Sequence, residues 1–226
     1  MPSVLFVFTS CNKSLTGNPT GWYLPEAAHP YYGLVEHASI DFASPNGPNP
    51  PVDESSVKAF EKDDLSTKFL NDSTVKQKFE SAKKLSDVSV KDYDAVFYVG
   101  GHGPVIDLAS DPVNAKLVSD FWQSGKIVSA VCHGPAALVG GVDANGKSIF
   151  EGRSFTGFSN AEEQAVDQVK AVPFLLEDKI QSLGGKYEKA PEPWGAKVVV
   201  DGKLITGQNP NSAGPIGEAL VKALAA

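Results

Sequence analysis

The apolar run KIVSAV at 126–131 ends at Cys132, and two residues later Gly134 and Pro135 open a new element, GPAAL. No other feature constrains the fold as strongly. A residue wedged between a buried strand and a helix sits in a sharp turn with its side chain exposed. This is the logic of a nucleophile elbow, here with Cys in place of Ser. Pro135 near the first turn gives up an N–H that would lack a partner there anyway. Gly134 supplies the close backbone approach that such a turn needs. In open α/β sheets this edge, beyond the carboxyl ends of the strands, is where ligands bind.

The rest of the chain supplies the sheet. VLFVF (4–8), SIDFA (39–43) and DAVFYV (94–99) are short runs rich in β-branched and aromatic residues. They are continuously apolar rather than alternating, which suits strands buried on both faces. Helical patterns lie at 23–38, 75–85 and 114–123. Strands alternating with helices predict βαβ units and a parallel sheet, an α/β fold. Beyond the elbow, 154–158 reads as a strand and 161–183 as a long helix bent near Pro173. The stretch 197–206 reads as a hairpin turning at Asp201-Gly202, and 212–225 as a C-terminal helix. Pro45, Pro48, Pro50 and Pro51 mark a loop. With it, 44–72 reads as a partly helical surface excursion within one domain spanning 1–226.

Charge and cysteine usage exclude several classes of function. A net charge of −7 without a Lys/Arg run argues against nucleic acid and anionic membranes. No stretch approaches the roughly 18 apolar residues of a membrane span. The run Val4 to Phe8 is too short, and too poor in basic flanking residues, for a signal peptide. Two cysteines in 226 residues are no disulfide framework, which points to a reducing compartment. Cytoplasm is the expectation, with a nuclear location left open. The absence of CxxC, HExxH or a close His pair gives no expectation of a metal.

Several residues could serve a nucleophile at this elbow. Helix N–H groups there favour a Cys132 thiolate, whereas Cys11 has no helix behind it and reads as an ordinary thiol. His133 is placed to exchange protons with the sulfur. A third group usually orients such a base, and Glu162 and Glu163 are the candidates; both could equally cap the helix that follows Asn160. Gly100 and Gly101 end the strand 94–99 and could turn amides toward an oxyanion, or form a plain turn. Glu26 follows Pro25 in the first turn after strand one, either as a helix-start acid or as an acid facing the pocket.

The segments PEAAHP (25–30), GGHGP (100–104), AVCHGPAAL (130–138), TGFSNAEE (156–163) and DGKLITGQNP (201–210) resemble the ThiJ/PfpI superfamily. That superfamily is flavodoxin-like and related to the class I glutamine amidotransferases. Within it the chain looks most like the glutathione-independent glyoxalase III group, the D-lactate dehydratases, to which heat-shock chaperones are related. The resemblance implies a three-layer sandwich with a mostly parallel central sheet and helices on both faces. It implies Cys132 as nucleophile, His133 as its histidine, Glu26 as the acid facing the elbow, and Glu163 as third triad member with Glu162 as runner-up. The oxyanion amides fall on Gly101 and His133. The implied reaction turns methylglyoxal, a small 2-oxoaldehyde, into D-lactate without a cofactor, in detoxification and stress response. Rival readings are a deglycase or cysteine hydrolase, and a stress chaperone or oxidation sensor. The resemblance also implies a homodimer. Trp22, Tyr23, Tyr31 and Tyr32 could serve that interface, line the pocket or pack the core.

Overall fold

The structure is a computed structural model describing residues 1–226. In chain order its elements are β1 (Ser3–Val7), α1 (Leu24–Leu34), β2 (Ser39–Ser44), α2 (Glu54–Ala59), α3 (Asp64–Asn71), α4 (Ser73–Glu80) and β3 (Lys83–Lys84). Then follow β4 (Ala95–Tyr98), α5 (Gly103–Ile106), α6 (Pro112–Gln123), β5 (Ile127–Val131), β6 (Ser154–Phe155), α7 (Asn160–Ala165) and α8 (Leu176–Ser182). The chain ends in β7 (Lys186–Tyr187), β8 (Val198–Asp201), β9 (Leu204–Gly207) and α9 (Ala213–Ala225).

Seven strands form the central sheet in the order β3-β2-β1-β4-β5-β9-β8. Every neighbouring pair is parallel except β8 with β9, the expected hairpin. Successive side chains of a strand point to opposite faces, and here both faces are covered. Phe6 and Phe97 join Trp22, Tyr31, Phe42 and Phe69 on one side. Leu5, Val96 and Val128 join Phe121, Phe150 and Phe155 on the other. Burial on both faces is why these strands read as continuous apolar runs. The result is a flavodoxin-like α/β sandwich. No helix is long and apolar enough to cross a membrane.

Four local expectations are corrected. The helix read over 75–85 stops at Glu80, because Lys83–Lys84 leaves it to pair with the edge of β2. Of 154–158 only Ser154–Phe155 is a strand, and it pairs with β7 in a separate two-stranded sheet. The following TGF segment is tied to the main sheet by Thr156 N–H donating to Thr206 Oγ1 (2.9 Å). The long helix over 161–183 is three pieces: α7, a 3₁₀ turn at Val169–Ala171 and α8. Asp167, with φ 53°, takes the left-handed backbone that ends α7 well before Pro173. Finally, 44–72 is more than surface. Ser56, Ser66 and Phe69 are buried, Ser56 Oγ accepts from Leu24 N–H at the start of α1 (3.0 Å), and Phe69 packs edge-on against Tyr31.

The aromatic cluster resolves in the same way. Trp22 and Tyr31 are buried in the core, and Tyr32 packs on Phe69 and donates to Asp72. Only Tyr23 of the four lines the pocket. The cluster therefore carries no argument for an interface.

Candidate active site

Strands β1, β4, β5 and β9 end at one edge, and the candidate residues meet there. Cys132 leaves β5 with φ 59°, a left-handed conformation that a side chain makes costly. The surrounding structure enforces it from both sides. Cys132 N–H donates to Gly207 O at the end of β9 (2.9 Å), and Cys132 O accepts from Phe158 N–H (2.9 Å). A Cβ on Gly134 would stand 2.5 Å from Tyr98 O, so only glycine lets the elbow lie against β4. The element that follows is a five-residue 3₁₀ turn, Gly134–Leu138, rather than an α-helix. Its dipole is correspondingly small.

The sulfur is not exposed as the sequence suggests. Cys132 is 4% exposed and faces a cavity of about 350 Å³. Burial pushes its thiol well above the ordinary range, and the nearby Glu26, Glu162 and Glu163 carboxylates push the same way. This works against the thiolate expected from a helix N-terminus. Cys11, half-buried on another loop, accompanies it as a second unpaired thiol, also raised chiefly by burial.

Glu26 packs against the elbow. A Cβ on Gly100 would lie 2.0 Å from Glu26 Oε2 and 2.9 Å from Cys132 Cβ, so that glycine makes room for the carboxyl beside the sulfur. Both Glu26 oxygens are buried without a hydrogen-bond partner. Burial raises the carboxyl well above its ordinary range; the adjacent Cys132 thiol pulls it back, Asp53 pushes it further up, and the Gly100 amide pulls it back again. Two acidic groups in one dry place cannot both ionise. The pair therefore keeps a proton at neutral pH.

His133 lies between the sulfur and Glu163. Its Nδ1 lies 3.4 Å from Cys132 Sγ and its Nε2 2.5 Å from Glu163 Oε2. A carboxylate only accepts hydrogen bonds, so Nε2 carries the proton and Nδ1 turns its lone pair to the sulfur. Burial lowers the His133 pKa and the Glu163 charge opposes this. Burial also works against ionisation of Glu163, but the adjacent His133 ring and hydrogen bonds from His102 and His133 hold it far below the ordinary carboxylate range.

The two adjacent glutamates separate cleanly. Glu162 forms a capping box with Ser159 and accepts from Gln208, Asn209 and Trp194 N–H, and it touches no histidine. Glu163 takes both histidines. The sequence points to the amides of the His102 loop and not to the His102 side chain. Its Nε2 reaches Glu163 Oε1 at 2.7 Å, and its ring lies 4.1 Å from that of His133. The available signal was its place on the same sheet edge as the elbow. His102, His133 and Glu163 offer ligand atoms within 4.8 Å of one another, close enough to admit a divalent ion. The amides of Gly101 and His133 donate to no backbone carbonyl.

The sequence model of the DJ-1/PfpI family matches residues 54–223. The chain belongs to the DJ-1/PfpI family. Among its relatives in that family is the glutathione-independent glyoxalase HSP31 of Saccharomyces cerevisiae, 33% identical over 93% of this chain and 92% of the yeast protein. The Rapid Encystment Protein 24 KDa of Francisella tularensis superposes with a TM-score of 0.93 at 38% identity, covering 99% of both chains. Glyoxalase III of Candida albicans superposes with a TM-score of 0.89 at 28% identity, over 98% of this chain and 97% of that one.

Burial that disfavours the thiolate predicts how Cys132 meets an oxidant. Because the thiolate is the reactive form, peroxide modification should accelerate with pH, by about tenfold per unit while the thiol predominates. Mass spectrometry after brief treatment measures it. A rate flat between pH 6 and 8 would reveal a resting thiolate instead.

Proposed function

We propose that this chain is a glutathione-independent glyoxalase that converts methylglyoxal and related 2-oxoaldehydes to D-lactate-type products through a hemithioacetal on Cys132. One observation carries the reading: the sulfur is flanked by Glu26 on one side and by the His133–Glu163 pair on the other, at the floor of the cavity. Such an arrangement can take a proton from the thiol, hold it and return it. The names of the yeast relatives support the same chemistry.

The steps balance without metal or nicotinamide. His133 Nδ1 takes the thiol proton as the sulfur adds to the aldehyde carbon. The Gly101 and His133 amides receive the oxyanion, which then gains a proton to give the hemithioacetal. Glu26, as carboxylate, removes the proton from C1 to form an enediol and returns it to C2, leaving a lactoyl thioester. Water hydrolyses the thioester, freeing lactate and the thiol. His133 serves as acid and base, oriented by Glu163, and His102 holds the other oxygen of Glu163. A thiol sensor needs a cysteine and a nearby acid but no complete relay, so the relay favours an enzyme.

Purified protein given methylglyoxal without glutathione should form lactate, read separately as the D and L forms. Prior treatment with EDTA should leave the rate unchanged. Absence of lactate, or loss of turnover on metal removal, overturns the mechanism. Two unpaired thiols fit the cytoplasm or nucleus, which a fluorescent fusion checks. A homodimer, supported by the family resemblance alone, is tested by light scattering against the 23.9 kDa monomer mass.

A further inference from the structure

One strained residue at the cavity takes no part in the relay. Trp194 has φ 67°, a left-handed backbone that bulky side chains rarely adopt. It is held there from several directions. Its N–H donates to Glu162 Oε1 (3.0 Å) and its carbonyl accepts from Asn211 Nδ2 (2.6 Å). The next carbonyl, Gly195 O, accepts from Asn209 Nδ2 (2.8 Å). Glu162 Oε1 also accepts from Gln208 Nε2 and Asn209 Nδ2, while its Oε2 closes the cap with Ser159. This accounts for the second glutamate. Its carboxylate is fully engaged in fixing the 194–195 loop and the start of α7, beside the relay but outside it.

What this bracing presents is an indole. Trp194 is 37% exposed, lines the cavity with Cys132, and meets Phe158 edge-on at 5.6 Å. Phe158 in turn lies 4.3 Å from the His133 ring. Together they make an apolar wall running from the relay toward solvent. Methylglyoxal has few atoms for the space: at about 30 Å³ per non-hydrogen atom, the share of a water molecule, five atoms fill roughly 150 Å³. The cavity holds about 350 Å³. An aldehyde carbon bonded to Cys132 leaves its C2 substituent to extend along the wall. Strain retained at a site by several hydrogen bonds points to a role there.

We propose that Trp194, fixed by Glu162, is a specificity-determining residue that seats a flat apolar substituent on C2 of a 2-oxoaldehyde. This rests on the glyoxalase reading and names the substrates that the site favours. The probes are phenylglyoxal and methylglyoxal, compared by kcat/KM with mandelate and lactate as products. The wild type should prefer phenylglyoxal. Trp194→Gly suits the left-handed backbone, so it removes the ring without threatening the loop. It should lower the phenylglyoxal-to-methylglyoxal ratio by about tenfold, the upper scale of an aromatic contact, chiefly through the phenylglyoxal KM. Trp194→Phe should retain most of the ratio. A ratio at or below one in the wild type, or a ratio unchanged in Trp194→Gly, overturns the proposal while leaving the glyoxalase reading intact. If neither aldehyde yields a hydroxy acid, the glyoxalase reading falls and the proposal falls with it.

Discussion

Cys132→Ala should abolish lactate formation from methylglyoxal, a loss on the order of 10⁴-fold or more, the scale expected when a nucleophile is removed from a group acting as a unit. Nothing else near the aldehyde can form the hemithioacetal. Cys11 lies on another loop, where its sulfur contacts Lys13 O, so Cys11→Ala should keep near-normal turnover. The fold of Cys132→Ala should persist. Alanine adopts the same left-handed backbone at similar cost, and the hydrogen bonds that enforce it come from the main chain. Cys132→Gly would go further, relieving about 1 kcal/mol of backbone strain while remaining equally inactive. Stability should be read by thermal melting and activity by lactate release. Appreciable lactate from either variant would mean that the sulfur is a bystander.

Glu26→Gln should reduce turnover by about 10²–10⁴-fold, the usual contribution of a positioned acid or base. The amide matches the carboxyl in size, so the space beside Gly100 stays filled. It can donate to the sulfur but cannot carry a proton from C1 to C2. Removing this carboxyl also removes a group that pushes the Cys132 thiol upward. The variant should therefore alkylate faster at neutral pH while turning over more slowly. Those opposite signs separate a proton relay from simple damage to the site. Activity within a few-fold of the wild type would demote Glu26 to an acid that merely opens α1.

The strand cores and the elbow were legible because they depend on local chemistry. VLFVF, DAVFYV and KIVSAV are too apolar to lie anywhere except between two covered faces, and the chain leaves the last of them at Cys132 in a turn that Gly134 and Pro135 make feasible. The segment 161–183 was misread because helical periodicity persists across its breaks. The helix α7 ends at the left-handed Asp167, and α8 packs against β7 and the 134–138 turn. The strand read over 154–158 failed for a related reason. Its TGF half is extended but bonds to a Thr206 side chain and the Cys132 carbonyl rather than to a strand ladder.

The sequence by itself determined which residue types stand at the sheet's carboxyl edge: a cysteine on an elbow, a histidine beside it, acids in the first turns of α1 and α7, and paired glycines after β4. These follow from strand order and turn chemistry, which the chain encodes locally. Tertiary structure alone decided what those groups do to one another. Glu162 and Glu163 are identical in chemistry and adjacent in sequence, but one residue of helix turns a side chain by about 100°. Only the packing of α7 aims Glu163 at His133 and His102 and leaves Glu162 to brace Trp194. The environment that disfavours a Cys132 thiolate was decided the same way. A short turn in place of a helix gives little dipole, and burial beside Glu26 excludes the water that would stabilise a thiolate.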